Sequence, residues 1–323
     1  MRLARIKGGR SEGAVYHCVS RTVGGQLLLD DACKARMGSL LMSLARFCGL
    51  EVITFCMMGN HFHVLVRVPC AVPLGDEELF RRAEGFYGRN GCLVSLARES
   101  MSTSGKMPEH VRQTLLGRMG DVSVFMKEFK QRFSRWYNRR NDRFGTLWAE
   151  RFKSVLVEDS EEALRTVAAY IDLNPVRAGL VDDPKDYRFC GYAAALVGQK
   201  EIQRSLIRIF RASSWSEASA RYRESLFVQG GRSGHSSKRA LDREAIRTVL
   251  SQGGDLSRAE VLRLRIRHLT DGVALGSRGF VEAVFNRHRQ LFGTRRRSGA
   301  RPIRGAPLSG LSTLRDLRVD AVG

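Results

Sequence analysis

The chain has 323 residues, 43% of them hydrophobic, enough to fill one large domain or two ordinary ones and too many for a disordered polyelectrolyte. Fifty-four Lys and Arg face 33 Asp and Glu, a net charge of +21, so the expected partner is a polyanion. No apolar run approaches the ~20 residues that span a bilayer, and no basic amphipathic helix of the interfacial kind stands out, which puts nucleic acid ahead of membrane.

The start, Met-Arg-Leu-Ala-Arg-Ile-Lys, has no apolar h-region of a secretory signal. The seven cysteines include no Cys-x-x-Cys pair and several sit inside apolar runs, where a free thiol behaves as a small hydrophobe. A reducing cytoplasm is the expected compartment.

Residues 13–22 predict a first strand, with Tyr16 expected in the core and His17 at its edge. Asp30-Asp31 then opens a helix, with Met37, Leu40, Leu41, Leu44 and Phe47 at helical spacing, which Cys48-Gly49 ends. Val52 to Phe55 and His61 to Val68 read as a strand pair around Gly59-Asn60, stopped by Pro69, so the opening is β-α-β. In a strand, residues two apart share a face. His61 and His63 thus present two imidazoles side by side, a two-point clamp for a divalent cation, while Phe62, Val64 and Val66 enter the core. Residues 70–120 read as an insertion or lid with a flexible loop at 101–106, and His110 as a solvated helix-end residue.

A helix is expected from Asp121 to Asn141, with Val122, Phe125, Phe129, Phe133 and Trp136 in one apolar stripe. Lys127, Lys130, Arg132, Arg135, Arg139 and Arg140 fill much of the remainder against a single acid, Glu128, which favours phosphate contact over a merely solvated face. A strand at 152–157 follows, then a helix from Ser160 that Pro175 should end. Tyr170 and Asn174, four apart, share a face of that helix. Tyr137 is a rival nucleophile on the basic helix but has no ligand partner at helical spacing, so it reads as packing or base stacking. Asp172 points away from Tyr170 and receives no metal role.

Composition shifts after about residue 195. Residues 196–323 hold 25 Lys and Arg against 11 Asp and Glu, a net of +14. The expected layout is a catalytic domain over 1–195, a linker over 196–237, a small helical region over 238–294 and a disordered basic tail over 295–323. Three short helices, near 241–251, 257–268 and 277–289, with Arg263, Arg265 and Arg267 on the middle one, suggest a helix-turn-helix for duplex DNA.

Gly59-Asn-His-Phe-His63, Gly145-Thr-Leu-Trp-Ala-Glu-Arg-Phe152 and Tyr170-Ile-Asp-Leu-Asn-Pro-Val-Arg-Ala-Gly179, in that order and with a basic helix between, resemble the single-tyrosine transposases of the HUH superfamily. The closer likeness is to the branch associated with repetitive extragenic palindromes, and it covers roughly residues 13–190. The resemblance implies an α/β (α+β) fold with a central antiparallel sheet carrying the histidines and helices on its faces. It implies Tyr170 as the nucleophile on hairpin-forming single-stranded DNA, and a place at the bacterial nucleoid. His61 and His63 with Asn174, two imidazoles and a carboxamide without thiolate, favour Mg²⁺ or Mn²⁺ over a closed zinc site. Family members act as monomers or homodimers, and monomer is the expectation here. Two other classes stay open: a DNA-binding regulator that has lost catalysis, and a phosphodiesterase using activated water.

Overall fold

The computed structural model describes residues 6–8, 12–231, 268–303 and 310–317. Its spine is a mixed seven-stranded sheet flanked by helices, in the order β2-β3-β1-β4-β5-β7-β6. The strands are β1 (Ala14–Arg21), β2 (Glu51–Met57), β3 (His61–Val68), β4 (Lys153–Val157), β5 (Ala274–Ser277), β6 (Arg301–Pro302) and β7 (Leu311–Leu314). Each adjacent pair is antiparallel except β4 and β5, which run parallel.

The first helix, α1 (Asp31–Cys48), starts where Asp30 accepts a hydrogen bond from the Cys33 N–H and ends at Gly49, whose φ of 70° needs no Cβ. Three helices fill the insertion: α2 (Asp76–Tyr87), α3 (Cys92–Ser104) and α4 (Glu109–Leu116). The loop expected at 101–106 is largely the last turn of α3, which runs to Ser104 and stops at Gly105 in the left-handed region. Phe86 of α2 stacks on Phe47 of α1 and Tyr87 meets it edge-on, so the insertion is packed on the core. The basic helix is α5 (Val122–Arg140), capped by Asp121, and α6 (Glu161–Asp172) is capped by Ser160.

The register of β1 on β3 pairs Arg21 with His61, Val19 with His63 and Cys18 with Val64. Strand alternation therefore sends Cys18, Phe62, Val64 and Val66 to one face and His17, His61 and His63 to the other. The first face is covered by α1 and α5: Phe62, fully buried, meets Phe129 and Trp148 edge-on at 5.3 and 5.4 Å between ring centroids. The second face is covered by α6, whose Ala163, Leu164, Val167, Ala168 and Ile171 are buried. These two apolar layers around one sheet are the core of the fold.

The segment expected to be a linker is helical over most of its described residues. Beyond α7 (Asn174–Arg177) and α8 (Gly191–Leu196) come α9 (Lys200–Phe210) and α10 (Trp215–Gly231). Ile202, Leu206, Ile209 and Phe210 of α9 are buried against β2, and α10 packs on α6 and α9. Helical spacing of these apolar residues, not overall charge, decides their fate. The C-terminal segment is corrected in the same way. After α11 (His268–Asp271), β5 joins the edge of β4, α12 (Arg278–Arg287) is capped by Ser277, and the supposed basic tail supplies β6 and β7. All four residues of β7 are buried, which is why a stretch with so many arginines holds its place. Arg263, Arg265, Arg267 and the first two of the three C-terminal helices lie outside the described residues.

Candidate nucleic-acid active site

The turn into β3 is pinned before the histidines begin. Asn60 donates through Nδ2 to the Gly25 carbonyl at 2.8 Å, and its own carbonyl accepts from the Thr22 N–H at 2.9 Å and the Thr22 hydroxyl at 3.0 Å. With Nδ2 so used, Asn60 Oδ1 is the acceptor for His61 Nδ1–H at 2.6 Å. That bond leaves His61 Nε2 with its lone pair.

His63 is 3% exposed and its Nδ1 lies 2.9 Å from Nε2 of His17, whose own Nδ1 lies 2.7 Å from the carbonyl of Leu269. The imidazoles of His17 and His63 stack with centroids 5.1 Å apart, and His61 meets His63 edge-on at the same distance. His17 is not at an edge: β1 lies between β3 and β4 and the side chain is fully buried. Sequence alone missed it because a histidine in an apolar strand carries no mark of the register that sets it against another.

Tyr170 on α6 sits above this cluster. Its half-buried ring meets His63 at 5.7 Å and His17 at 5.9 Å between centroids, both edge-on. Arg177, on the turn after α6, places its guanidinium 5.0 Å from the Tyr170 ring centre. The sequence gives Arg177 no mark of a role, and only the turn at Pro175 brings it back over the tyrosine. Asn174 donates through Nδ2 to the carbonyls of Tyr170 and Ile171 at 2.9 and 3.2 Å, so Oδ1 is the atom it has left for a cation.

Burial sets the charge state here. It lowers His17 and His61 from 6.5 to about 4, with Arg21 adding to the effect at His61, and it takes His63 well below 6.5 with further help from the other imidazoles, Arg21 and Arg177. The three rings are neutral at pH 7, the form that ligates metal. Among the described residues no three His, Cys, Asp or Glu side chains gather as a ligand group. His61 and His63 each carry an imidazole lone pair, and Asn174 a carboxamide oxygen, donor types that ligate divalent cations.

Asp172 is a structural neighbour of the site. Fully buried, it accepts from the Thr54 hydroxyl at 2.9 Å, from the Tyr192 N–H at 3.2 Å and from the Tyr222 hydroxyl, tying the end of α6 to β2, α8 and α10. Tyr137 is 6% exposed and packs on Phe133, away from the histidines.

The basic residues of α5 divide into two groups. Arg132 pairs with Glu128 and lies over Phe86 and Tyr87, while Arg140 pairs with Asp30 and lies over Trp136. Lys130 donates to the Glu150 carbonyl at 2.7 Å. Lys127, Arg135 and Arg139 are exposed. Lys127, Lys130, Arg135 and Arg151 line a groove of about 840 Å³ between α5 and residues 145–152, floored by Trp148 and Phe152. The outer wall of that groove is stitched to the end of β1, through Ala149 N–H to the Arg21 carbonyl at 3.0 Å and Val23 N–H to the Leu147 carbonyl at 3.0 Å. Arg21 is the register partner of His61. Groove and histidine cluster thus lie at the same end of the sheet, on opposite faces.

Among the described residues no helix is long and apolar enough to cross a membrane. No protein-family model matches the sequence, and no curated protein matches it. Solved structures similar to this chain include that of a REP-associated tyrosine transposase bound to a REP hairpin, 13% identical with a TM-score of 0.39, the likeness covering 61% of this chain and 87% of that one.

Proposed function

We propose that the protein is a DNA strand transferase that cuts and rejoins hairpin-forming single strands through a covalent bond to Tyr170. The reading is carried by one observation, the meeting of the Tyr170 ring with His63 under the guanidinium of Arg177. A phenol is protonated at neutral pH and a weak nucleophile, so it needs a positive neighbour and an activated phosphorus. Arg177 supplies the first: its charge favours the phenolate and can fork onto the oxygens of a scissile phosphate. His61 Nε2, His63 Nε2 and Asn174 Oδ1 would hold Mg²⁺ or Mn²⁺, which when bound polarises a non-bridging phosphate oxygen and steadies the departing oxygen.

In cleavage the bond between Tyr170 Oη and phosphorus forms as the bond from phosphorus to the 3′-oxygen breaks, and the phenolic proton is made good on that oxygen. The products are a 5′-phosphotyrosine and a free 3′-OH. Attack on the phosphotyrosine by the 3′-OH of another strand reverses the step and returns the phenol, with no external energy source. Lys127, Lys130 and Arg135 grip the phosphates along the groove, with Arg139 exposed further along the same helix.

The test is incubation with labelled hairpin single-stranded DNA and Mg²⁺ or Mn²⁺, resolved on a denaturing gel. A covalent band is expected, lost in Tyr170→Phe while hairpin binding persists. An adduct formed by Tyr170→Phe overturns the assignment, and cleaved product without any adduct in the wild type points instead to hydrolysis by water.

A further inference from the structure

We infer that His17 is a positioning residue that locks His63 into its Nδ1–H tautomer and so aims the His63 Nε2 lone pair at the cation, with the backbone of the C-terminal segment as the anchor. The inference rests on the reading of His61 and His63 as the cation-holding pair. Its geometry is a chain of two hydrogen bonds. The Leu269 carbonyl, 2.7 Å from His17 Nδ1, can only accept, so the proton of His17 sits on Nδ1. A neutral His17 then offers a bare Nε2, and His63 Nδ1, 2.9 Å away, must be the donor. The proton of His63 is thereby removed from Nε2. Among the described residues the side-chain charges that act on His63 are those of Arg21 and Arg177, both positive.

Asn60 does the same for His61 from the other side, accepting from Nδ1 at 2.6 Å. The two ligands are held by different parts of the chain: one by its own turn, the other by a carbonyl two hundred residues further on. An imidazole without such a partner samples both tautomers and turns about its χ2. Outer partners of this kind are worth roughly 10–100-fold in metal affinity.

The test reads the metal-free protein first. Long-range ¹H–¹⁵N correlation of the imidazoles at pH 7 should show His63 with a protonated Nδ1 and an unprotonated Nε2. His63 protonated on Nε2 in the wild type overturns the inference, whatever any variant does. In His17→Gln the carboxamide oxygen stands where Nε2 was, so the tautomer and Mn²⁺ affinity should be kept. His17→Leu should show mixed tautomers on His63 and at least tenfold weaker Mn²⁺ binding by calorimetry. Unchanged tautomer and affinity in a folded His17→Leu overturn it. These readouts involve no DNA cleavage, so a failed Tyr170→Phe adduct test would leave them standing and the reverse also holds.

Discussion

Tyr222→Phe removes one oxygen from a side chain that is fully buried, leaves the ring and its edge-on contact with Tyr192 in place, and opens almost no cavity. What it takes away is one of the donors to Asp172. Burial raises the Asp172 carboxyl from 3.8 to about 6, while the bonds from Tyr222, the Tyr192 N–H and Thr54 pull it down. Because the folded value lies above the unfolded one, the folded protein keeps that proton longer. Ionisation of Asp172 therefore removes stability as pH climbs from about 4 to about 6, by up to about 3 kcal/mol, and has no further effect above that range. At pH 5 the carboxyl is largely neutral in the fold, and losing the Tyr222 bond costs about 1 kcal/mol. At pH 8 the carboxylate is charged, and the loss rises to about 1.5–3 kcal/mol. Urea unfolding of both proteins at pH 5 and pH 8, followed by circular dichroism and by tryptophan fluorescence, measures the difference. Coincident curves from the two probes would license conversion of midpoints to free energies. A variant as stable as the wild type at pH 8, or one hurt more at pH 5 than at pH 8, would refute the account of Asp172 as a buried, donor-stabilised carboxylate.

Gly191 makes a close approach to β2: a Cβ there would stand 2.0 Å from the Thr54 hydroxyl oxygen and 3.0 Å from the Phe55 nitrogen. Gly191→Ala should cost about 1–3 kcal/mol in thermal unfolding, and less in a Thr54→Ala background, because the two changes act on one contact. Asp30→Ala removes the cap of α1 and both prongs of its pairing with Arg140 at 3.1 and 2.9 Å, with an expected loss of about 1 kcal/mol. The Arg140 bond chiefly holds the Asp30 carboxyl well below its usual range, so this stabilisation is present above pH ~4 and should fade as pH falls further, which denaturation at pH 7 and pH 2 would check. Replacing Lys127, Arg135 and Arg139 together with alanine should flatten the plot of log affinity for single-stranded DNA against log salt by about 2 in fluorescence anisotropy. Arg132→Ala, whose guanidinium is engaged with Glu128 and two aromatic rings, should instead lower stability and leave the slope almost unchanged. Equal slopes for wild type and the triple variant would remove α5 from the DNA path.

The local elements were legible because their signals are local. Asp30, Asp121 and Ser160 cap their helices as their side chains allow, Gly49 stops α1, and Pro175 ends α6 one turn past Tyr170. Alternation in β3 was enough to separate Phe62 from the two histidines. Charge points to a polyanion but not to which cations are available to it, since Arg132 is spent on Glu128 one helical turn away and Arg140 on Asp30, an acid that only folding brings near. Charge also misled where it hid apolar spacing, in α9 and β7. The site itself needed the tertiary structure. The facing of His17 and His63 depends on the β1–β3 register, a relation between residues 46 apart in the chain. The anchor of His17 is a backbone carbonyl at Leu269, and a carbonyl has no signature in sequence because every residue carries one. Sequence determines which side chains exist and what each can donate or accept. The pairing of strands decides which of them meet, because a shift of one residue in register would turn His17 to the opposite face of the sheet.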